Sequence, residues 1–118
     1  MEIVKEFTFD AAHYLPNVPD THKCKNLHGH TYRVRLFLEG PLDPLLGWVM
    51  DFAEIKSAWK PLEQQLDHQT LNNIPGMVNT TAEELAVWIY DQLKPQLPLL
   101  SRIELNETAS NWVIYRGV

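Results

Sequence analysis

The run Cys24-Lys-Asn-Leu-His-Gly-His30 holds the chain's single cysteine and two of its five histidines. Thiols and imidazoles ligate zinc-like metals and exchange protons near neutral pH. His28 and His30 are two apart, so in a strand both rings face one side. Their α-carbons would then lie about 6.5–7 Å apart, close enough to converge on one ion. His13 is the natural third ligand if its own segment pairs with theirs. One histidine on an apolar strand face is usually a hydrogen-bonded core residue, whereas three of compatible parity point to a metal. Three nitrogens leave a fourth position for water or substrate, as in catalytic zinc, although imidazole also suits iron or copper.

Three further groups could carry chemistry. Cys24 lies between Lys23 and Lys25, which makes it a candidate base or nucleophile. The alternatives are a fourth zinc ligand or an inert loop thiol. Asp67 and His68 are adjacent, either as polar residues at a helix stop or as a proton-transfer pair in which the carboxylate orients the imidazole. Glu107 shares the parity of Ile103 and Leu105. A carboxylate on an apolar strand face needs a partner, so it either ends the strand in solvent or holds an N–H-rich ring such as an aminopyrimidine.

The elements that must position these residues are legible as periods. Residues 2–14 alternate, with Ile3, Phe7, Phe9, Ala11 and His13 of one parity, and read as a half-buried strand ending at His13. Residues 16–26 carry turn residues without a period and read as a loop. From residue 27 to 40, His28, His30, Tyr32, Val34, Leu36 and Leu38 face one way, and Arg33, Arg35 and Glu39 the other. Asp51 and Glu54 resemble a capping box, followed by Phe52, Ile55, Trp59, Leu62 and Leu66 at helical spacing. Pro61 inside that pattern predicts a kink or a restart. A second capping box, Thr80 with Glu83, opens a helix bearing Leu85, Ile89 and Leu93, which Pro95 and Pro98 end. Two strands follow, over 100–108 and near 112–117. The order β-β-α-α-β-β implies an α+β fold, an antiparallel four-stranded sheet with both helices on one face. Its free edges invite oligomerisation. Phe7, Phe9, Trp59 and Trp88 read as core.

With 118 residues, the chain reads as a single domain over 1–118. The net charge of −5 argues against broad nucleic-acid binding, where a basic face supplies most of the affinity. No run of 18 apolar residues suggests a membrane span. The opening MEIVKEFTF lacks the pattern of a signal peptide, so a cytoplasmic location is expected.

Taken together, FDAAHYL, CKNLHGH, LDHQTLNN, NTTAEELAVWI and NET resemble, in order and spacing, the family of 6-pyruvoyltetrahydropterin and 6-carboxytetrahydropterin synthases. The short gap between Cys24 and His28 resembles the bacterial 6-carboxy branch, which serves queuosine and deazapurine synthesis. The resemblance implies a tunnelling fold, with trimeric barrels stacked into a homohexamer and active sites between subunits. It implies Zn2+ on His13, His28 and His30, with Cys24 as general base and His68 and Asp67 in the proton relay. Glu107 would anchor the pterin and join that relay, with Thr80 and Thr81 near the ring. The implied reaction converts 7,8-dihydroneopterin triphosphate and water to 6-carboxy-5,6,7,8-tetrahydropterin, acetaldehyde and triphosphate. Two other readings stay open: a 6-pyruvoyl synthase that eliminates triphosphate without C–C cleavage, and a non-catalytic zinc-stabilised binding module. The segment TASNWV has no residue-by-residue counterpart, and the basic residues that would meet the triphosphate are not located by spacing.

Overall fold

The alternation at the start of the chain becomes a long hairpin. In the computed structural model, which describes residues 1–118, β1 (Glu2–His13) pairs antiparallel with β2 (His28–Glu39) along its whole length, from Glu2 opposite Glu39 to His13 opposite His28. The odd residues of β1 and the even residues of β2 share one face. Phe9, Tyr32, Val34, Leu36 and Leu38 are buried on it, so a slip of one residue would turn this whole set to solvent.

Helix α1 (Phe52–Leu66) starts where Asp51 Oδ1 accepts the Ala53 N–H at 2.9 Å. Ile55, Ala58, Trp59, Leu62 and Leu66 form its buried stripe, while Phe52 remains half-exposed at its first turn. The helix runs from Phe52 to Leu66 through Pro61 as one element, so it does not restart there. Pro61 and Ser57, whose carbonyl loses its helical partner, both lie on the exposed side, where the proline ring is not buried and the carbonyl is not forced into the core.

Beyond α1, Gln69–Thr70 form a two-residue strand β3, parallel to β1 through Ala11 and Ala12. The sheet therefore has five strands in the order β3-β1-β2-β4-β5, rather than the four expected. Two residues are too few to show alternation, which is why this edge is invisible in the sequence. Helix α2 (Ala82–Leu93) is capped by Thr81, whose Oγ1 accepts the Glu84 N–H at 3.2 Å, one residue later than the Thr80–Glu83 box expected. Strands β4 (Leu100–Thr108) and β5 (Asn111–Tyr115) complete the antiparallel part of the sheet.

Both helices pack on one face around a cluster of 24 buried apolar residues. Trp59 stacks on Phe7 at 5.0 Å between ring centroids, and Trp88 packs against the cluster's rim. At roughly 1.5–3 kcal/mol per large buried side chain, this core, rather than any ion, supplies the gross driving force for folding. The opposite sheet face carries the partly exposed charges Glu2, Glu6, Arg33, Arg35, Arg102 and Glu104 in a lattice of ion pairs, the shortest being Arg35 Nε to Glu6 at 2.8 Å. No helix is long and apolar enough to cross a membrane.

Candidate active site

The register that closes the hairpin also assembles three imidazoles. His13 lies directly opposite His28, and Ala11 opposite His30, so all three rings emerge on the helix-covered face at the end of the β1–β2 hairpin that the loop over 14–27 joins. Their centroids are 4.6 Å (His13–His28), 5.1 Å (His13–His30) and 4.9 Å (His28–His30) apart. One nitrogen from each lies within 4.8 Å of the others, a group able to hold a metal ion.

The outer hydrogen bonds fit that use. His13 Nδ1 is 2.8 Å from the Thr80 carbonyl and His28 Nδ1 is 2.7 Å from the Asn26 carbonyl. A carbonyl only accepts, so both Nδ1 atoms carry the proton and each Nε2 keeps a free lone pair, the arrangement that orients metal-ligating histidines. His13 Nε2 and His30 Nε2 are buried without a hydrogen-bond partner. Burial pushes both rings below the usual histidine pKa and favours the neutral, ligating form. Beneath them lies the fully buried Tyr32, its ring stacked on Phe9 and its hydroxyl 3.4 Å from His13 Nδ1. Burial, then the charge of Glu107, pushes its phenol well above the ordinary range, so it stays protonated.

Glu107, near the end of β4, brings the carboxylate anticipated at this position to the cluster. Its Oε1 is 3.5 Å from His30 Nε2, an ion-pair distance without hydrogen-bond alignment. It opens onto a cleft of about 610 Å³ walled by Leu15, Thr81, Ala82, Glu83 and Trp112. The two threonines separate here. Thr81 caps α2 and lines the cleft, whereas Thr80 is fully buried, its hydroxyl donating to the Tyr14 carbonyl at 3.1 Å and its own carbonyl holding His13. Glu83 and Trp112 escaped the sequence reading. The first passed for a capping partner, and the second lies in the segment without a counterpart.

Asp67 and His68 form a pair, with Asp67 Oδ2 accepting from His68 Nδ1 at 2.9 Å. Asp67 Oδ1 accepts the Asp10 N–H at 2.9 Å and the His68 N–H donates to the Asp10 carbonyl at 2.6 Å, clamping the pair to the edge of β1. His68 has φ 58°, a left-handed conformation that a non-glycine residue holds only when its surroundings impose it. The Asp10 amide and then His68 lower the Asp67 carboxyl, and Asp67 raises His68. The imidazole is mostly exposed and borders a second cleft, about 470 Å³, shared with Gly29, His30 and Thr31. It does not belong to the converging ligand set.

Cys24 is half-buried in a 3-10 turn, Lys23–Lys25, and is likewise not part of the ligand set. The ammonium of Lys25 is engaged by the Pro16 carbonyl at 2.7 Å and the Val18 carbonyl at 3.3 Å, so it ties down the loop. The structure thus gathers His13, His28, His30 and Glu107. It leaves Cys24 on the adjoining loop and the Asp67–His68 pair at the sheet edge.

An α+β domain with a tri-histidine cluster at the loop end of its central hairpin defines a candidate metalloenzyme class. The 6-pyruvoyl tetrahydropterin synthase family model matches residues 2–118, and the chain belongs to that family of pterin synthases. It is 38% identical to the 6-carboxy-5,6,7,8-tetrahydropterin synthase of Synechocystis, covering 96% of this chain and 91% of that one. It is 33% identical to human 6-pyruvoyl tetrahydrobiopterin synthase, covering 98% and 91%. The Caenorhabditis elegans 6-pyruvoyl tetrahydropterin synthase structure superposes with a TM-score of 0.93 at 27% identity, over 100% of this chain and 96% of that one.

Proposed function

We propose that the protein is a zinc-dependent 6-carboxy-5,6,7,8-tetrahydropterin synthase, a lyase acting on 7,8-dihydroneopterin triphosphate in a 7-deazapurine pathway. The observation that carries the reading is the pair of buried, partnerless Nε2 atoms aimed into one point beside a carboxylate-lined cleft. It is supported by the similarity to the Synechocystis enzyme and by the short Cys24–His28 spacing.

His13, His28 and His30 would hold Zn2+, which would supply Lewis-acid polarisation of the substrate's side-chain oxygens. Glu107 accepts N–H groups of the pterin ring and orients its side chain toward the histidines, with Thr81 on the wall of the same cleft. Cys24 Sγ takes the proton loosened on the substrate side chain. His68 holds Nδ1–H on Asp67, which leaves Nε2 to exchange a proton with a substrate hydroxyl. Triphosphate departs, and a retro-aldol-type C–C cleavage releases acetaldehyde. Cys24 and His68 meet across a subunit boundary in this reading, in a homohexamer of two trimers. Thr80 serves the site through His13 rather than through the ring.

Cys24→Ala separates this reading from a zinc-stabilised binding module. The variant should retain the zinc content of the parent and lose at least a hundredfold in kcat, the scale of a positioned acid–base group. Full turnover by Cys24→Ala, or Cys24 found as a zinc ligand, would overturn the assignment of the base. Human and other relatives are 6-pyruvoyl synthases, so acetaldehyde is the product that discriminates.

A further inference from the structure

The fifth histidine has no part in the chemistry above, yet the main chain of Cys24 depends on it. His22 Nδ1 accepts the Cys24 N–H at 3.0 Å and N-caps the turn Lys23–Lys25. An imidazole nitrogen accepts only with a free lone pair, so the proton of His22 resides on Nε2. On the other side, the Cys24 carbonyl accepts the Leu15 N–H at 2.8 Å, two residues beyond His13. Both main-chain polar groups of Cys24 are therefore held, one by an imidazole and one by the strand extension that follows a candidate ligand.

His22 is itself fixed. Its N–H donates to the Pro19 carbonyl at 2.8 Å and its carbonyl accepts the Lys25 N–H at 3.1 Å. Lys25 then binds the turn to the Pro16 and Val18 carbonyls. None of the three residues in the turn is buried. A 3-10 turn of this length has weak internal hydrogen bonding, so these bonds, rather than packing, decide where the thiol sits.

We propose that His22 is a positioning residue for Cys24, acting through its Nδ1 lone pair and not through charge or bulk. The inference rests on Cys24 being the proton carrier of the proposed reaction. Side chains with an acceptor oxygen, Asn above all, make the same N-cap bond. Asparagine at this position should therefore substitute for the imidazole.

The test uses the zinc-loaded protein with His22→Ala and His22→Asn, reading amide hydrogen exchange at Cys24, zinc content, kcat and KM on dihydroneopterin triphosphate. For His22→Ala, exchange at Cys24 should quicken about fivefold, the ratio that a typical cap sustains. kcat should fall by a similar factor, with KM and zinc content unchanged. His22→Asn should restore both within about twofold. Parental exchange and kcat in His22→Ala would overturn the proposal. So would equal impairment of the two variants, which would give the imidazole a chemical task of its own. Cys24→Ala run alongside separates the two claims. Its full turnover defeats the base assignment and the catalytic half of this inference, while exchange at Cys24 still decides whether His22 holds the turn.

Discussion

Removing the metal should destabilise the protein without unfolding it. His13 Nε2 and His30 Nε2 are buried without partners. Each buried, unsatisfied group costs about 1–3 kcal/mol, or about 2–6 kcal/mol for the pair. That is a large part of a typical stability of 5–15 kcal/mol, but the 24-residue apolar cluster remains intact. Zinc at a hundredfold excess over its Kd stabilises the native state by about 2.7 kcal/mol. For a chain of this size that corresponds to roughly 10 °C in Tm, at about 4 °C per kcal/mol. The assay is far-ultraviolet circular dichroism of chelator-treated protein, melted with and without added zinc at pH 7.5. At 25 °C the helix signal should be the same in both, and the melt should shift upward with zinc. His13→Ala should abolish the shift. Coincident melts would refute the metal site, and an unfolded metal-free chain at 25 °C would refute the claim that the core alone carries the fold.

Other outcomes follow from individual contacts. Asp67→Asn should bring the titration of His68, followed by nuclear magnetic resonance, back down toward the ordinary histidine value, because Asp67 is what raises it. The sign for stability is fixed by the same shifts. The His68 contribution is complete below its unfolded pKa of about 6.5 and fades as pH rises through the raised folded value. The Asp67 contribution is present above its unfolded pKa of about 3.9 and fades as pH falls through the lowered one. A stability–pH curve identical in parent and Asp67→Asn would contradict both. Pro61→Ala should stabilise α1 by about 1–2 kcal/mol in urea melts, since the helix already runs through that position and regains a hydrogen bond. Thr81→Ala should cost about 1 kcal/mol through the lost cap of α2.

The parity of β1 and β2 carried most of the site. A period of two placed His13, His28 and His30 on the face that holds Phe9 and Tyr32, and the register then brought them together. Helix starts were legible to within a residue. Thr80 and Thr81 are equally good caps on paper, and only burial of Thr80 under His13 decides between them. The restart expected at Pro61 does not occur, and the sequence does not show that its turn lies on the exposed side. β3 is too short to carry a pattern, and the left-handed φ of His68 is imposed by Asp10, a contact 58 residues away along the chain. The cap that His22 places on Cys24 was hidden for a different reason, since imidazole is not among the usual capping side chains.

What leaves the cleft beside Glu107 decides which reaction the protein catalyses. The direct measurement is mass spectrometry of the products formed from 7,8-dihydroneopterin triphosphate by the zinc-loaded protein, with acetaldehyde trapped as its hydrazone. The expected products are 6-carboxy-5,6,7,8-tetrahydropterin, acetaldehyde and triphosphate in equal amounts. A 6-pyruvoyl product without acetaldehyde, or unchanged substrate, would contradict it.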